Sequence, residues 1–318
     1  MEKTNNFELF YDVLDHSISL LYLVRHDNFF DLLIQSGKNI LEMDVLDPEC
    51  PEDIKKKVMQ NYEKLEGVDF NVEEIRQAFQ AMALRAFKET NLKLGEVTPD
   101  TLGFFFSYLI NKLAKDKSAL SILDPVVGTG NLLYSVANLI EKDLKLYGID
   151  NVREVIEIAN VLGNLLNYDV EMFNQDTLSH PFSGMDFVIA DLPIYYDKDY
   201  ENRFFPFLCI LEHLASLKDD GYLLALIPNN FFDLDKDSFF KEKLKGQASV
   251  LGVLGLPQEM FKDNHKSILI LSKQPIESQK CLLVDLPSFT DFNKLNNCLM
   301  EIETWFNKNI NNKEKENG

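Results

Sequence analysis

With 318 residues, 46% of them hydrophobic, and no apolar run near the roughly 20 residues that span a bilayer, the chain reads as soluble, long enough for two domains and without a membrane partner. A net charge of −19 argues against a protein that grips duplex nucleic acid by overall positive charge, and residues 1–97, with 19 acidic and 11 basic side chains, do not offset it. Cys50, Cys209, Cys281 and Cys298 form no C-x-x-C pair and the N-terminus has no basic-then-apolar leader, so reduced thiols in a cytoplasmic protein are expected, with neither a metal site nor a disulfide framework.

Apolar residues recur at helical spacing from the start. Phe7, Phe10, Leu14, Ile18 and Leu21 form one stripe and Phe29, Leu32 and Leu33 another, with polar Arg25 to Asn28 between them, which predicts two helices. Pro51 suits the first turn of a helix from Glu52 to Leu65, on which Lys55-Lys56-Lys57 reads as a solvated face. Asn71 with Glu74 resembles a capping box opening a helix from Val72 to Thr90, whose core face holds Phe79, Met82 and Phe87. The expected first domain, residues 1–95, is therefore all helical. Its apolar faces suit packing on the rest of the chain, on a second copy in a homodimer, or on a protein partner.

The second expected domain, residues 96–318, alternates strand and helix, the pattern of an α/β fold with a parallel sheet. Strands are predicted at Leu120–Val126, Lys145–Ile149, Val170–Gln175, Phe187–Asp191, Tyr222–Ile227, Val250–Leu256 and Ser267–Leu271, with helices at Asn131–Lys142 and Val152–Leu166. The segment before Ser267 is too short for a crossover helix, so that strand should run antiparallel. Asp124, Asp150, Asp176 and Asp191 each fall at or just after the end of a separate strand, where ligands of such sheets bind.

The loop Asp124-Pro125-Val126-Val127-Gly128-Thr129-Gly130 breaks an apolar strand into two glycines at the mouth of a helix, which lets backbone approach a ligand closely. Asp150 lies twenty residues past Gly130, placed to accept both hydroxyls of an adenosine ribose. Leu133 stands where a dinucleotide-binding loop needs its third glycine, so no diphosphate is cradled. Asp124 instead suits the methionine ammonium of S-adenosylmethionine. Pro125, Thr129 and Asn151 join Asp124, Gly128, Gly130 and Asp150 as cofactor-binding candidates. Asp176 either accepts the cofactor's adenine amine or caps its own turn.

These residues resemble the N6-adenine-specific DNA methyltransferase family. Asp124 to Gly130 is similar to its D-P-x-x-G-T-G loop, and Asp191-Leu192-Pro193-Ile194 occupies the place of its (N/D)-P-P-(Y/F) motif. Thr98-Pro99 resembles the pair that precedes the loop in type I modification subunits and contacts the methionine end. The resemblance spans about residues 96–275, and the helical N-terminal region is most similar to the YtxK-like branch. It implies a class I S-adenosylmethionine-dependent methyltransferase fold, Rossmann-like, with seven strands of which the last is antiparallel, and a nucleic-acid acceptor, DNA or RNA.

The implied chemistry uses Asp191 and the Leu192 carbonyl, fixed by Pro193, as acceptors for the two N–H bonds of an exocyclic amine, so that charge developing on nitrogen is stabilised and its lone pair is aimed. Asp191 also borders the cofactor. Leu192 replaces the family's first proline and Ile194 its aromatic, which normally stacks on the extruded base. Tyr196 either takes over that stacking or packs the loop with Tyr195. Phe261 either sets a second aromatic against the base or fills a hydrophobic corner. Two classes stay open: an active methyltransferase on a nucleic acid, or a fold that acts on protein glutamine or serves only as a binding module.

Overall fold

The computed structural model describes residues 6–90, 98–179, 182–261, 265–274 and 281–311. In chain order the elements are α1 (Asn6–Arg25), α2 (Phe29–Glu42), α3 (Glu52–Tyr62), α4 (Val72–Thr90), α5 (Asp100–Leu113), β1 (Ala119–Asp124), α6 (Asn131–Ala137), β2 (Asp143–Asp150), α7 (Arg153–Leu165), β3 (Asp169–Asn174), β4 (Met185–Asp191), β5 (Tyr196–Asp197), β6 (Arg203–Phe204), α8 (Phe205–His213), β7 (Leu217–Pro228), α9 (Phe239–Leu244), β8 (Ser249–Gly255), β9 (Lys266–Ser272), β10 (Leu282–Asp285) and α10 (Phe292–Phe306). They fall into two compact units. One holds residues 1–104, 127–140 and 144–175, the other 105–126, 141–143 and 176–318.

In the first unit the local signals act as expected. The Asn28 side chain accepts the Asp31 N–H at 3.1 Å and so starts α2 after the polar break. The Asn71 N–H donates to Glu74 Oε2 at 2.9 Å, and Asn71 Oδ1 accepts the Glu73 N–H at 2.9 Å, so the capping pair is formed reciprocally. Helix α1 packs on α2, α3 and α4, and α2 and α4 pack in turn on α7. The bundle is not purely apolar: Ser17 Oγ lies 2.9 Å from Ser36 Oγ and 2.6 Å from the Tyr62 hydroxyl, all buried. Lys55 pairs with Asp44 while Lys56 and Lys57 are exposed, the solvated face that was expected. Strands β2 and β3 run parallel, with Asp150 opposite Asn174.

The second unit is a sheet in the order β10-β8-β9-β7-β4-β1. β1, β4 and β7 are mutually parallel, whereas β9 runs antiparallel between β7 and β8. β4 is buried from Met185 to Ala190 and apolar there except for Asp186, which is paired with Lys117 and Lys218, as in a strand covered on both faces. All seven predicted strands are present. An eighth, β10, pairs parallel with β8, and α10 follows it, so the C-terminal stretch carries more structure than its polar composition suggests. Helix α6 ends at Ala137, shorter than the run to Lys142 that periodicity predicts. Among the described residues no helix is long and apolar enough to cross a membrane.

His213, fully buried on α8, packs the second unit. Its Nε2 lies 2.8 Å from Thr177 Oγ1 and its Nδ1 3.1 Å from Ser216 Oγ, and burial holds its pKa down at about 4. An unfolded histidine titrates near 6.5, so the unfolded chain binds the extra proton first. Stability should therefore be full above pH 6.5 and fall by about 2 kcal/mol as pH drops toward 4.5. Urea unfolding at pH 7.5 and 4.5 checks this. A His213→Gln protein, which cannot charge, should lose less across that interval, and equal losses would exclude His213 as the source.

Candidate active site

The glycine loop lies at the end of β2 in the first unit. The Val127 N–H donates to the Ile149 carbonyl at 2.9 Å, and the Gly130 N–H to the Val127 carbonyl at 2.8 Å, which folds the loop back on itself. Gly128 and Gly130 both adopt left-handed backbone, at φ +52° and +82°. A Cβ on Gly130 would come within 2.3 Å of the Tyr134 ring, so this glycine is needed for packing. A Cβ on Gly128 would meet nothing within 4 Å. The backbone at Gly128 thus faces open space, the cradle that a side chain would fill. Leu133, at the missing third glycine, is fully buried core.

Asp150 terminates β2 and ties the loop to it. Its Oδ2 accepts the Gly128 N–H at 3.1 Å and its Oδ1 the Val152 N–H at 2.9 Å, while burial pushes its pKa above the ordinary aspartate value against the pull of those bonds. Each carboxylate oxygen can accept a second hydrogen bond, so the pair remains able to receive two hydroxyls. Asn151 is exposed beside it. Gln175, one residue beyond β3, places its amide nitrogen in a buried position with no hydrogen-bond partner among the described residues. A buried donor without an acceptor costs about 1–3 kcal/mol. An open cradle, a carboxylate for hydroxyls and a donor awaiting an acceptor fit a nucleoside, and Gln175 is a residue the sequence pattern does not single out.

The helical bundle braces this loop directly. The Gln80 amide donates to the Thr129 carbonyl at 2.8 Å and accepts the Thr129 hydroxyl at 2.7 Å. Arg76, only 1% exposed, donates to Asn131 Oδ1 at 2.5 Å and pairs with Glu73 and Asp100, and Asn131 Nδ2 donates to the Thr98 carbonyl at 2.8 Å. Thr98 and Pro99 are thereby linked to the residue that follows the glycines. Arg76 and Gln80 are spaced i, i+4 on the same face as Phe79 and Ala83, so two polar side chains inside an apolar stripe were the available sequence signal.

The second unit holds the remaining candidates. Asp124 at the end of β1 is 1% exposed and accepts the Val126 N–H at 3.1 Å across the turn made by Pro125, which is buried. Asp176 is exposed, its two oxygens taken by the Leu178 N–H at 3.0 Å and the Ser179 hydroxyl at 3.1 Å, the turn-capping arrangement. Asp191 ends β4 and is paired at 2.7 Å with Lys266, a contact that sequence separation hides. Leu192 is buried, whereas Pro193, Ile194 and Tyr195 are exposed. Tyr196, 50% exposed, leads the short β5 hairpin and leans on Phe204, while Tyr195 stacks on Phe205 at 4.6 Å, so the two tyrosines diverge as alternation in extended chain requires. Phe261 is buried, with the Lys266 ammonium 5.8 Å from its ring centre. Lys266 thus links Asp191 to the Phe261 ring, and Tyr196 stands on the segment that follows β4.

Comparison with known proteins gives the family and the fold. A family model described as N-6 DNA Methylase matches residues 81–317, and one described as the YtxK N-terminal helical domain matches residues 8–87. The uncharacterized protein YtxK of Bacillus subtilis is 33% identical over 321 residues, covering 94% of this chain and 97% of that protein. A solved structure from Listeria monocytogenes, assigned to the class I S-adenosylmethionine-dependent methyltransferases, superposes with a TM-score of 0.82 at 30% identity, over 95% of this chain and 99% of that one. A type I restriction-modification methyltransferase subunit from Streptococcus thermophilus shares the fold, with a TM-score of 0.59 at 16% identity over 93% of this chain and 73% of its own.

Proposed function

The chain belongs to the N-6 DNA methylase family, with the class I methyltransferase fold behind a YtxK-type helical domain, and on that premise we propose that it transfers methyl from S-adenosylmethionine to the exocyclic N6 amine of adenine in a nucleic acid. The observation that carries this reading is the Asp191-Leu192-Pro193 segment at the carboxyl end of β4. A carboxylate and a proline-directed carbonyl follow each other there, the pair of acceptors that a planar amine with two N–H bonds requires.

Within the first unit, Gly128, Thr129, Gly130, Asp150, Asn151 and Gln175 would hold the nucleoside of the cofactor, with Thr98 and Pro99 tied to the same loop through Asn131. In the second unit, Asp124 is the buried carboxylate suited to a methionine ammonium. When bound, the cofactor supplies an electrophilic methyl on sulfonium. Asp191 accepts one N–H of the acceptor amine and the Leu192 carbonyl the other, which turns the nitrogen lone pair outward and stabilises positive charge as it develops. The proton leaves after transfer, so no strong base is needed. Tyr196 offers an exposed ring for base stacking in place of the aromatic that Ile194 lacks.

One observation favours a second reading, transfer to a protein glutamine amide. The stretches that follow β4 and β7, residues 192–202 and 229–238, carry six acidic and two basic side chains. Such a rim repels phosphodiesters and draws little affinity from them. Transfer of labelled methyl to single-stranded DNA, duplex DNA, RNA and a protein extract separates the two. Label in adenine is expected. Label in protein alone would overturn the nucleic-acid acceptor in favour of glutamine, and cofactor binding without transfer to any pool would leave a binding module.

A further inference from the structure

Lys266 is a buried lysine that the proposed chemistry does not call for. It opens β9, and because β9 runs antiparallel to β7, with Lys266 opposite Pro228, its first residue arrives where the parallel strands end. Its ammonium reaches Asp191 Oδ1 at 2.7 Å and stands over the Phe261 ring at 5.8 Å, with the side chain 7% exposed. Taking an ammonium out of water is costly unless it is paired. Yet the pairing works against the role given to Asp191, since a neighbouring positive charge offsets what a lone carboxylate does for a nitrogen that is becoming positive. Charge stabilisation alone does not account for a lysine at this place.

A carboxylate and an ammonium side by side do form a recognition edge, one acceptor next to one donor. We propose that Lys266 donates to the hydrogen-bond acceptor adjacent to the methylated nitrogen, so that the site takes amidine- or amide-type nitrogens and refuses simple amines. This rests on the reading of Asp191 as the group that receives the acceptor N–H. In adenine the adjacent atom is ring N1 or N7, and in a glutamine side chain it is the carbonyl oxygen. An alkylamine offers donors only and, when protonated, meets Lys266 as a like charge. Phe261, with the ammonium over its ring, keeps Lys266 directed at this edge.

The test measures kcat/KM for methyl transfer to single-stranded oligonucleotides containing adenine, 1-deazaadenine or 7-deazaadenine, with wild type, Lys266→Met and Lys266→Arg. S-adenosylmethionine affinity and thermal stability are recorded for each protein. Lys266→Met is expected to lose about 10- to 100-fold on adenine, the loss of one charged hydrogen bond, with cofactor affinity unchanged and part of the rate restored in Lys266→Arg. One of the two deaza oligonucleotides should show the same loss with the wild-type protein and no further loss with Lys266→Met, because the bond is already absent. A lysine that merely supports Asp191 would lower the rate on all three oligonucleotides by one factor, and that result, or an unchanged Lys266→Met, would overturn the assignment while leaving the adenine reading intact. Failure of the wild-type protein to label adenine at all would instead overturn the adenine reading, and with it the assignment of Lys266 to a ring nitrogen of adenine.

Discussion

Asp191→Ala is expected to reduce methyl transfer by about a hundredfold or more while the dissociation constant for S-adenosylmethionine stays within about twofold of wild type. The carboxylate ends β4 and is paired with Lys266, so its proposed partner is the acceptor amine and its loss falls on the reacting nitrogen. Alanine also leaves the Lys266 ammonium buried without its ion-pair partner, which costs about 3–5 kcal/mol in comparable cases. Thermal unfolding must therefore accompany the assay. Asp191→Asn separates the effects, since it keeps an oxygen to receive the acceptor N–H and removes the charge. Transfer by Asp191→Asn should exceed that of Asp191→Ala. A cofactor affinity that collapses in a folded Asp191→Ala protein would remove Asp191 from the acceptor side of the reaction.

Asp150→Ala should weaken S-adenosylmethionine binding by at least about a hundredfold, measured by calorimetric titration. Two ribose hydroxyls would donate to this carboxylate, and a hydrogen bond to a charged group contributes about 1.5–3 kcal/mol. The same change releases the Gly128 and Val152 N–H groups that shape the loop. A pH series gives the argument a sign. Burial raises the Asp150 pKa, and hydroxyl donors favour the ionised form, so affinity should improve as pH rises through that elevated value and fall below it. Asp150→Asn should abolish the dependence. Affinity that is flat with pH in the wild-type protein, or unchanged in Asp150→Ala, would show that the cofactor is held elsewhere.

Sequence alone determined what depends on near neighbours. The seven strands of alternating or continuous apolar character, the break at Arg25–Asn28, the Asn71–Glu74 cap and the two left-handed glycines each express chemistry contained within a few residues. Periodicity or a single backbone demand was sufficient for them. The strand-end positions of Asp124, Asp150 and Asp191 followed once the strands were placed. β10 was missed because Leu282–Asp285 is too short to show a period, whereas α10 went unassigned although Asp291 caps its start and Cys298, Ile302 and Phe306 recur at helical spacing.

Only tertiary structure decided which partners those residues take. Asp191 meets Lys266 across 75 positions because β9 reverses direction and delivers its first residue to the carboxyl end of the parallel strands. Gln80 and Arg76 hold the glycine loop and Asn131 across 49 and 55 positions because α4 packs on α6. Gln175 becomes a buried donor only through what surrounds the end of β3. A local pattern records the period of an element and the turn that ends it. It holds no information about which face of a distant strand or helix will close over that end, and that closure sets, within each unit separately, the charge beside Asp191 and the hydrogen bonds that hold Thr129 in the loop following β1.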